Sequence, residues 1–441
     1  MITTSTSAGH RRRGVLAGSI ALVAVLALAA CQGGSSKKGS GGGGTAATDD
    51  GTTLTLWTRA PTQAFTQSLV DAYNSSHKNK VKLTAFPADS YQQKVASAAG
   101  AKQLPDILAS DVVYAPNYAS KGIFADITSR VNALPFKDKL APGHVKAATF
   151  DGKIYAVPHD LDMSVLFYNK VLFQKAGLDP NTPPTTMQEV YQDAVKINKL
   201  GGGVHGYFFG GDCPGCMLFT TWPMIWADGG SVINDKGDAS TIASPQAAAV
   251  YTLYRKMFSE GITPASVKSE NGPTWTQAFT DGKIGIQPFG TTALQLMKEG
   301  PALQAGVAPI PGVNGGKSSF VGGDVIGTTA TSKHADQAWD FISWTLSDNA
   351  QVEVVAKNKN ATVRTDLASN KYSAQDPRLV TFNQLSSFGQ TPISVNFGAT
   401  YNDPNGPWTS TVFDAVFGNQ DPAAELQSHN DKISQSLAGG G

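Results

Sequence analysis

The chain has 441 residues, of which 41% are hydrophobic, and its 35 basic residues nearly balance its 34 acidic residues to give a formal charge of +1. This balance argues against a dedicated nucleic-acid or acidic-polymer partner. The length exceeds what one hydrophobic core usually organises, so two lobes are expected.

The N-terminus predicts an export signal. Residues 10–13 are basic, residues 14–28 form an apolar run too short to span a bilayer, and Leu-Ala-Ala-Cys31 closes the run. Residues 1–30 are therefore predicted to be a cleaved signal peptide. The closing residues resemble the lipobox of bacterial lipoproteins, which implies that Cys31 carries lipid such as palmitate; an accidental cysteine after a plain signal is the alternative. Arg12 and Arg13 also resemble a twin-arginine signal, so the export route stays open.

Residues 31–51 predict a lipidated cysteine followed by a flexible linker. The segment is rich in Gly, Ser, Lys and Thr, which bury too little apolar surface to offset the entropy of ordering. No later apolar run is long enough to cross a membrane. We therefore expect a protein held at the extracytoplasmic face of a bacterial cell membrane through its lipid alone.

The body of the chain predicts alternating strands and helices. Residues 53–57 and 81–86 alternate as strands do, and a helical pattern at 61–73 lies between them, which indicates a βαβ unit. Further strands are predicted at 105–108, 153–157, 165–168, 283–287 and 319–323, and helices at 186–199, 245–260, 274–281, 335–346 and near the C-terminus. These elements predict an α/β fold with a parallel sheet. Such sheets bind ligands beyond the carboxyl ends of their strands, so a cleft between two lobes is the expected site.

Several segments together resemble one protein family. They are Leu-Pro-Asp-Ile-Leu (104–108), Gly-Lys-Ile-Tyr-Ala-Val-Pro (152–158), Ser-Val-Leu-Phe-Tyr-Asn-Lys (164–170) with Leu-Phe-Gln-Lys-Ala-Gly-Leu (172–178), Thr-Trp-Pro-Met-Ile-Trp-Ala-Asp-Gly-Gly (221–230), Ala-Phe-Thr-Asp-Gly-Lys-Ile-Gly-Ile (278–286) and Phe-Val-Gly-Gly (320–323). In this order they resemble the carbohydrate-type extracellular solute-binding proteins of ABC importers, the group that includes maltose-binding protein.

The resemblance implies a periplasmic-binding-protein-like fold, with two α/β lobes, crossing hinge strands and a central ligand cleft. It places the crossings near residues 159–162, 320–324 and 376–378. Lobe one would comprise residues 52–160 and 325–372, and lobe two residues 161–324 and 373–441. A ligand would close the lobes by a hinge motion, because only the closed state lets both lobes contact it.

The resemblance also implies ligand contacts. Sugar sites use aromatic faces for stacking and carboxylates that accept hydroxyl hydrogens. Family positions, or neighbouring glycines that allow close approach, point to Arg59, Asp111, Asp162, Asp212, Phe289, Asp324 and Trp408. The competing interpretations are a surface ion pair, solvated or hinge-capping carboxylates, and core packing for the aromatic rings. Trp222 and Trp226 are expected in the core.

Cys213-Pro-Gly-Cys216 is an insertion relative to the family pattern. In an exported protein it most simply predicts a disulfide, since Pro-Gly favours the tight turn that so short a loop requires. Redox activity would need the motif at a helix N-terminus after a strand, a context that the sequence does not indicate. A zinc half-site would need two further ligands, which cannot be placed.

These observations predict a monomeric receptor that binds a mono- or oligosaccharide and delivers it to the permease subunits of an ABC importer. No cofactor, metal or nucleic acid is expected. The sequence contains no nucleophile elbow, His-Glu-x-x-His, P-loop or dinucleotide motif, so an enzyme is not expected. The alternatives are a receptor for another polar solute, such as glycerol phosphate or a polyamine, a ligand-sensing lipoprotein, and a secreted glycoside hydrolase using carboxylates such as Asp160 and Asp162.

Overall fold

The structure is a computed structural model that describes residues 49–272, 274–403 and 405–439. The predicted signal peptide, Cys31 and most of the predicted linker lie outside the described residues.

Strands form where β-branched and other apolar residues cluster, as strand propensity requires. Among the described residues the strands are β1 Thr53–Arg59, β2 Lys80–Phe86, β3 Ile107–Asp111, β4 Thr149–Phe150, β5 Lys153–Ile154, β6 Val157–Asn169, β7 His205–Tyr207, β8 Ile284–Gly290, β9 Ala305–Ala308 and β10 Val321–Thr328. The predicted strand at 153–157 is divided, because residues 153–154 pair with β4 and Val157 begins β6. Strands β8 and β10 are buried at every residue, so both of their faces are covered.

The large sheet is mixed, not parallel as predicted. Its order is β2-β1-β3-β10-β6-β8-β7, with β9 also paired to β6. Strands β1, β2 and β3 are parallel, but β10 runs antiparallel to both β3 and β6. The prediction was wrong because β10 comes from much later in the chain, and the direction in which it enters the sheet is decided by tertiary structure. We refer to the part built on β1, β2 and β3 as the first lobe and to the part built on β7, β8 and β9 as the second lobe.

Strands β6 and β10 cross between the lobes. The first half of β6 pairs with β10, whereas residues 164–169 pair with β8 and β9 of the second lobe. Strand β10 in turn pairs with β3 of the first lobe from Asp324 onward. Its pairing with β6 has a register shift between Asp324 and Val325. Gly323 has a φ of +102°, and a Cβ there would lie 2.2 Å from the carbonyl oxygen of Asp160. Close approach of the two crossing strands therefore requires glycine at this position.

Several helices begin after a residue whose side chain caps a free backbone N–H group. The helices are α1 Gln63–Ser76, α2 Ala88–Gly100, α3 Ala115–Ser120, α4 Thr128–Asn132, α5 Pro142–Ala147, α6 Lys170–Lys175, α7 Met187–Asn198, α8 Pro214–Ala227, α9 Pro245–Ser259, α10 Gln277–Thr280, α11 Ala335–Thr345, α12 Pro377–Leu385, α13 Pro407–Phe417 and α14 Pro422–Leu437. Thr186 and Ser244 accept hydrogen bonds from the third residue of α7 and α9, as N-cap residues do. Most predicted helices are confirmed, although the one predicted at 274–281 shrinks to α10.

The third predicted crossing is not an extended strand. Asp376 caps α12 by accepting a hydrogen bond from the backbone N–H of Arg378, and Pro377 occupies the first helical turn. Helix α12 then packs beside β6 and β9, where Phe382 lies against Phe167 with ring centroids 6.2 Å apart. The cap and the proline favour a helix at residues 376–378 over extended backbone.

A continuous hydrophobic core runs through both lobes. Trp222 is fully buried against Trp408 and Tyr401, with ring centroids 5.5 and 4.9 Å away, and Trp226 is also buried, as predicted. Within the part of the chain that the structure describes, no helix has both the length and the apolar character needed to cross a bilayer.

Candidate ligand-binding cleft

A cavity of about 330 Å³ lies where the crossing strands meet the ends of β1 and β3 and the beginning of α8. Arg59 and Asp111 line it from the first lobe, and Asp162 lines it from β6. The opposite wall consists of the Cys216 region of α8 and the loop that carries Trp275. The cavity therefore lies beyond the carboxyl ends of parallel strands, where open α/β sheets bind ligands.

Arg59 is the last residue of β1 and is held by two carboxylates. Its Nη1 lies 3.1 Å from Asp111 Oδ2, and its Nη2 lies 2.6 Å from Asp324 Oδ1. Burial opposes the charge of the guanidinium, but the neighbouring carboxylates outweigh it and raise the pKa of Arg59 above its usual value. Arg59 therefore enters the cavity as a fixed cation whose side chain remains 17% exposed.

The carboxylates beside Arg59 differ in what they can offer a ligand. Asp111 ends β3, lines the cavity and keeps 23% of its side chain exposed. Burial raises its pKa, although Arg59 opposes that shift. Asp324 is fully buried and does not line the cavity, and its Oδ2 accepts a hydrogen bond of 2.8 Å from Thr62. Asp324 therefore positions Arg59 and does not face the cavity in this conformation.

Asp162 projects from the crossing strand β6 into the cavity. Its Oδ1 accepts hydrogen bonds from the backbone N–H and hydroxyl of Thr292 at 3.2 and 3.1 Å. Its Oδ2 has no hydrogen-bond partner among the described residues. Burial raises the pKa of Asp162, while the bonds from Thr292 oppose the shift. One oxygen is thus fixed by the protein and the other can accept a ligand hydroxyl.

Asp160 lies two residues earlier on the same strand but beneath the cavity. It is 3% exposed, and its buried Oδ1 has no partner among the described residues. Burial first, then repulsion from Asp162 and Asp324, raises the pKa of Asp160 well above its ordinary value. Burial also keeps Asp160 out of the cavity that Asp162 lines, so the two carboxyl groups that motivated the hydrolase alternative are not equally accessible.

The second-lobe wall supplies apolar surface. Trp275 is half-buried in the loop before α10, and Phe219 on α8 lies 5.3 Å from Phe320 between ring centroids; all three line the cavity. Trp275 was not predicted as a contact, because the sequence pattern placed it within a helix at 274–281. The helix begins only at Gln277, which leaves the ring in the preceding loop, free to line the cavity.

Three predicted contacts lie elsewhere. Phe289 is fully buried and stacks on Phe167 at 4.5 Å between ring centroids, so its ring belongs to the core. Trp408 is also fully buried, and its Nε1 donates a hydrogen bond of 3.1 Å to the carbonyl oxygen of Pro214. Asp212 is exposed and is not among the lining residues. In this conformation none of the three presents its side chain to the cavity.

Cys213 and Cys216 form the predicted disulfide, and Cys216 lines the cavity. The structure corrects one premise: the motif does lie at a helix N-terminus, since Cys213 is the N-cap of α8 and its Sγ accepts a hydrogen bond from the Cys216 N–H at 3.1 Å. Trp408 supports this turn through its hydrogen bond to Pro214. Trp408 was predicted to contact the ligand, but in this conformation it instead positions the cavity wall that contains Cys216.

Two lobes joined by crossing strands around a polar and aromatic cleft define a binding protein that captures a small solute. The chain belongs to the bacterial extracellular solute-binding protein family, whose model matches residues 38–352.

Curated and solved relatives agree with this assignment. The chain is 28% identical over 408 residues to the diacetylchitobiose binding protein DasA of Streptomyces coelicolor, which covers 88% of this chain and 90% of DasA. The sugar-binding protein MalE from Xanthomonas citri matches the fold with a TM-score of 0.76 at 20% identity, covering 88% of this chain and 98% of MalE. A solute binding protein from Thermotoga lettingae bound with alpha-D-tagatose has a TM-score of 0.75 at 19% identity, with 88% and 100% covered. These relatives are binding proteins, not enzymes.

Proposed function

We propose that this protein is the lipid-anchored substrate-binding component of an ABC importer and captures an extracellular mono- or oligosaccharide. The observation that carries the proposal is the cavity itself, which pairs carboxylates on one side with aromatic rings on the other. Sugars present hydroxyl groups around an apolar ring face, so they match both sides at once. DasA is a diacetylchitobiose binding protein and MalE is a sugar-binding protein, and both similarities support a carbohydrate ligand.

The proposed contacts are Arg59, Asp111 and Asp162 on the polar side and Trp275 and Phe219 on the apolar side. Asp324 and Trp408 are proposed to act indirectly, by holding Arg59 and the disulfide turn. A volume of about 330 Å³ lies at the small end of the roughly 300–1,000 Å³ typical of small-molecule sites, which favours a short ligand.

Closure of the two lobes is part of the proposal. We propose the predicted lobe boundaries, residues 52–160 with 325–372 and residues 161–324 with 373–441. Hydrogen bonds already join the two rims, because Asn402 Nδ2 donates to the Tyr114 hydroxyl at 3.1 Å and Asn117 Nδ2 donates to the Val395 carbonyl at 3.0 Å. These bonds support the proposal that the two lobes can close over the cleft, a state that a ligand would stabilise.

A second candidate is a cationic solute such as a polyamine. Among the described residues that line the cavity, two carboxylates, those of Asp111 and Asp162, accompany one cation, Arg59, and the buried Asp324 carboxylate already pairs with that cation. This balance disfavours an anion such as glycerol phosphate and would tolerate a positive charge.

Isothermal titration of the purified protein separates these ligand classes. We expect saturable binding of one neutral sugar from a panel containing diacetylchitobiose, maltose and tagatose, with weaker binding by Asp162→Asn and the sugar recovered uncleaved. Binding of spermidine alone would replace the sugar proposal with the cationic one. Cleavage of the sugar would contradict a receptor.

The anchor and the transport role need a cellular test. We propose that lipid on Cys31 holds a monomeric receptor beside its permease, since a protein that binds without an ATPase of its own must stay near its transporter. Cys31→Ser is expected to release the protein into the medium and reduce uptake of the labelled sugar. Unchanged uptake after deletion of the whole gene would favour a ligand-sensing role.

A further inference from the structure

Helices α13 and α14 bring together three side chains that the sequence analysis did not connect. Asp414 lies on α13, while Glu425 and His429 lie four residues apart on α14 and therefore on one helix face. One ligand-type atom from each of the three lies within 4.8 Å of the other two. Cys31 and the cavity are not involved, so this cluster is independent of the proposed function.

Glu425 is the feature that ordinary packing does not explain. The residue is 6% exposed, yet its carboxylate makes no hydrogen bond or ion pair among the described residues, and its oxygens are not fully closed off from solvent. A carboxylate in such a largely buried position is normally paired or bound to a metal. Glu425 therefore lacks a cationic partner.

The nearby cations do not fill that role. Arg255 on α9 reaches the end of α13, but its guanidinium donates to the backbone carbonyl oxygens of Asp414, Ala415 and Gln420. His429 Nε2 lies 3.2 Å from Asp414 Oδ2, and its Nδ1 is buried with no partner among the described residues. The single imidazole of His429 thus lies near two carboxylates but contacts only that of Asp414. Neither Arg255 nor His429 therefore pairs with the Glu425 carboxylate.

We propose that Asp414, Glu425 and His429 form a binding site for a divalent cation of the zinc type. One imidazole nitrogen and two carboxylate oxygens are ligands that Zn²⁺ accepts, and three protein ligands leave a fourth position for water. Zinc ligands lie about 2.0–2.2 Å from the metal, hence roughly 3.3 Å apart, so the side chains need to converge by at most about 1.5 Å. The ion would tie the C-terminal helix α14 to α13, whose other end carries Trp408 beneath the cleft wall.

Calorimetric titration of Zn²⁺ into the chelator-treated protein, without a polyhistidine tag, reductant or phosphate, tests the site. We expect one zinc per chain, a zinc-dependent rise in Tm, and at least tenfold weaker binding by His429→Ala. The variant Glu425→Gln should also lose zinc binding but unfold no more easily than the wild type without zinc, since it removes an unpaired buried charge. His334→Ala, which alters an exposed histidine, should bind like the wild type.

Several outcomes would overturn the proposal. The first is the absence of saturable zinc binding up to about 1 mM, which is on the order of the weakest protein–metal affinities. The second is zinc binding that survives both Glu425→Gln and His429→Ala. The third is saturable binding of Mn²⁺ by a protein that does not bind Zn²⁺. Because Glu425→Gln is expected to remain folded, its result is informative even if His429→Ala does not fold.

Discussion

On the first-lobe side of the cleft Arg59 is held between two carboxylates, whereas the second-lobe side presents Trp275, Phe219 and a disulfide turn. The first side is a charged network supported by fully buried groups. The second is a wall formed by α8 and the loop before α10, and its rings are only partly buried. The two sides of the cleft can therefore contribute differently to ligand binding. Fixed charges on the first-lobe side can orient a ligand, and aromatic surface on the second-lobe side can contribute contact area without a strict geometry.

The largest expected effect is on the charged side. Asp324→Asn should lower the free energy of unfolding by about 3–5 kcal/mol, because it leaves the buried guanidinium of Arg59 with one partner fewer. Denaturant unfolding measures this. Asp336→Asn, which removes the exposed partner of Arg130, is the control and should cost about 0–1 kcal/mol. Equal losses in the two variants would show that the network is not a stable support.

A pH dependence should come from the histidines packed against this network. Burial lowers the pKa of both His144 and His159 to about 4 from 6.5, so the unfolded chain binds protons that the folded protein does not. Stability should therefore fall as the pH drops from 6.5 through 4, by about 3 kcal/mol for each histidine.

Denaturant unfolding of His159→Gln across this pH range checks the assignment. The raised pKa of Asp160 acts in the opposite direction, since its contribution to stability is lost as the pH rises. The difference between wild type and variant at each pH isolates the histidine. His334→Gln should reproduce the wild-type curve, and a His159→Gln curve that does so as well would rule out this source of the pH effect.

On the apolar side, the effect of a ring that contacts the ligand can be separated from the effect of a ring that stabilises the fold. Trp275→Ala should weaken binding of the sugar found by calorimetry ten- to a hundredfold, about 1.4–2.8 kcal/mol, because it removes surface that a ligand covers. Trp408→Ala should instead lower the free energy of unfolding by about 3–5 kcal/mol, as deletion of a fully buried ring does. If Trp275→Ala binds the sugar normally, the apolar wall is not a contact surface.

The smallest effect is expected from the disulfide. Cys213→Ser combined with Cys216→Ser should cost about 2 kcal/mol or less, since so short a closed loop restricts the unfolded chain little. Ligand affinity should fall only a few-fold, because Trp408 still holds the turn through Pro214. Titration of thiols in the unfolded wild type without reductant should find none at Cys213 and Cys216, and two would contradict the bond.

Local patterns predicted most of the elements, and the reason is physical. The apolar periodicity and caps at 186–199 and 245–260 involve residues a few positions apart, so α7 and α9 begin and end close to where expected. The direction of β10 failed because it depends on contacts with β3 and β6, far away in the chain.

The site was predicted unevenly for the same reason. Arg59, Asp111 and Asp162 were expected from the family resemblance, and they stand at strand ends or on the crossing strand, where they line the cavity. Phe289 and Trp408 were expected there too, but whether a ring faces a cavity or the core depends on which surfaces pack over it. Trp275 was missed because it fell within the helix predicted at 274–281, whereas α10 begins at Gln277.

The sequence by itself determined the fold class, the family, the run of strands and helices and the pairing of Cys213 with Cys216, because each rests on local pattern or on resemblance spread along the chain. Only the tertiary structure decided that Asp324 lies beneath Arg59, that Trp275 forms the apolar wall, and that Asp414 meets Glu425 and His429. Those contacts join side chains from separate elements, and their distances depend on how the helices and strands pack together.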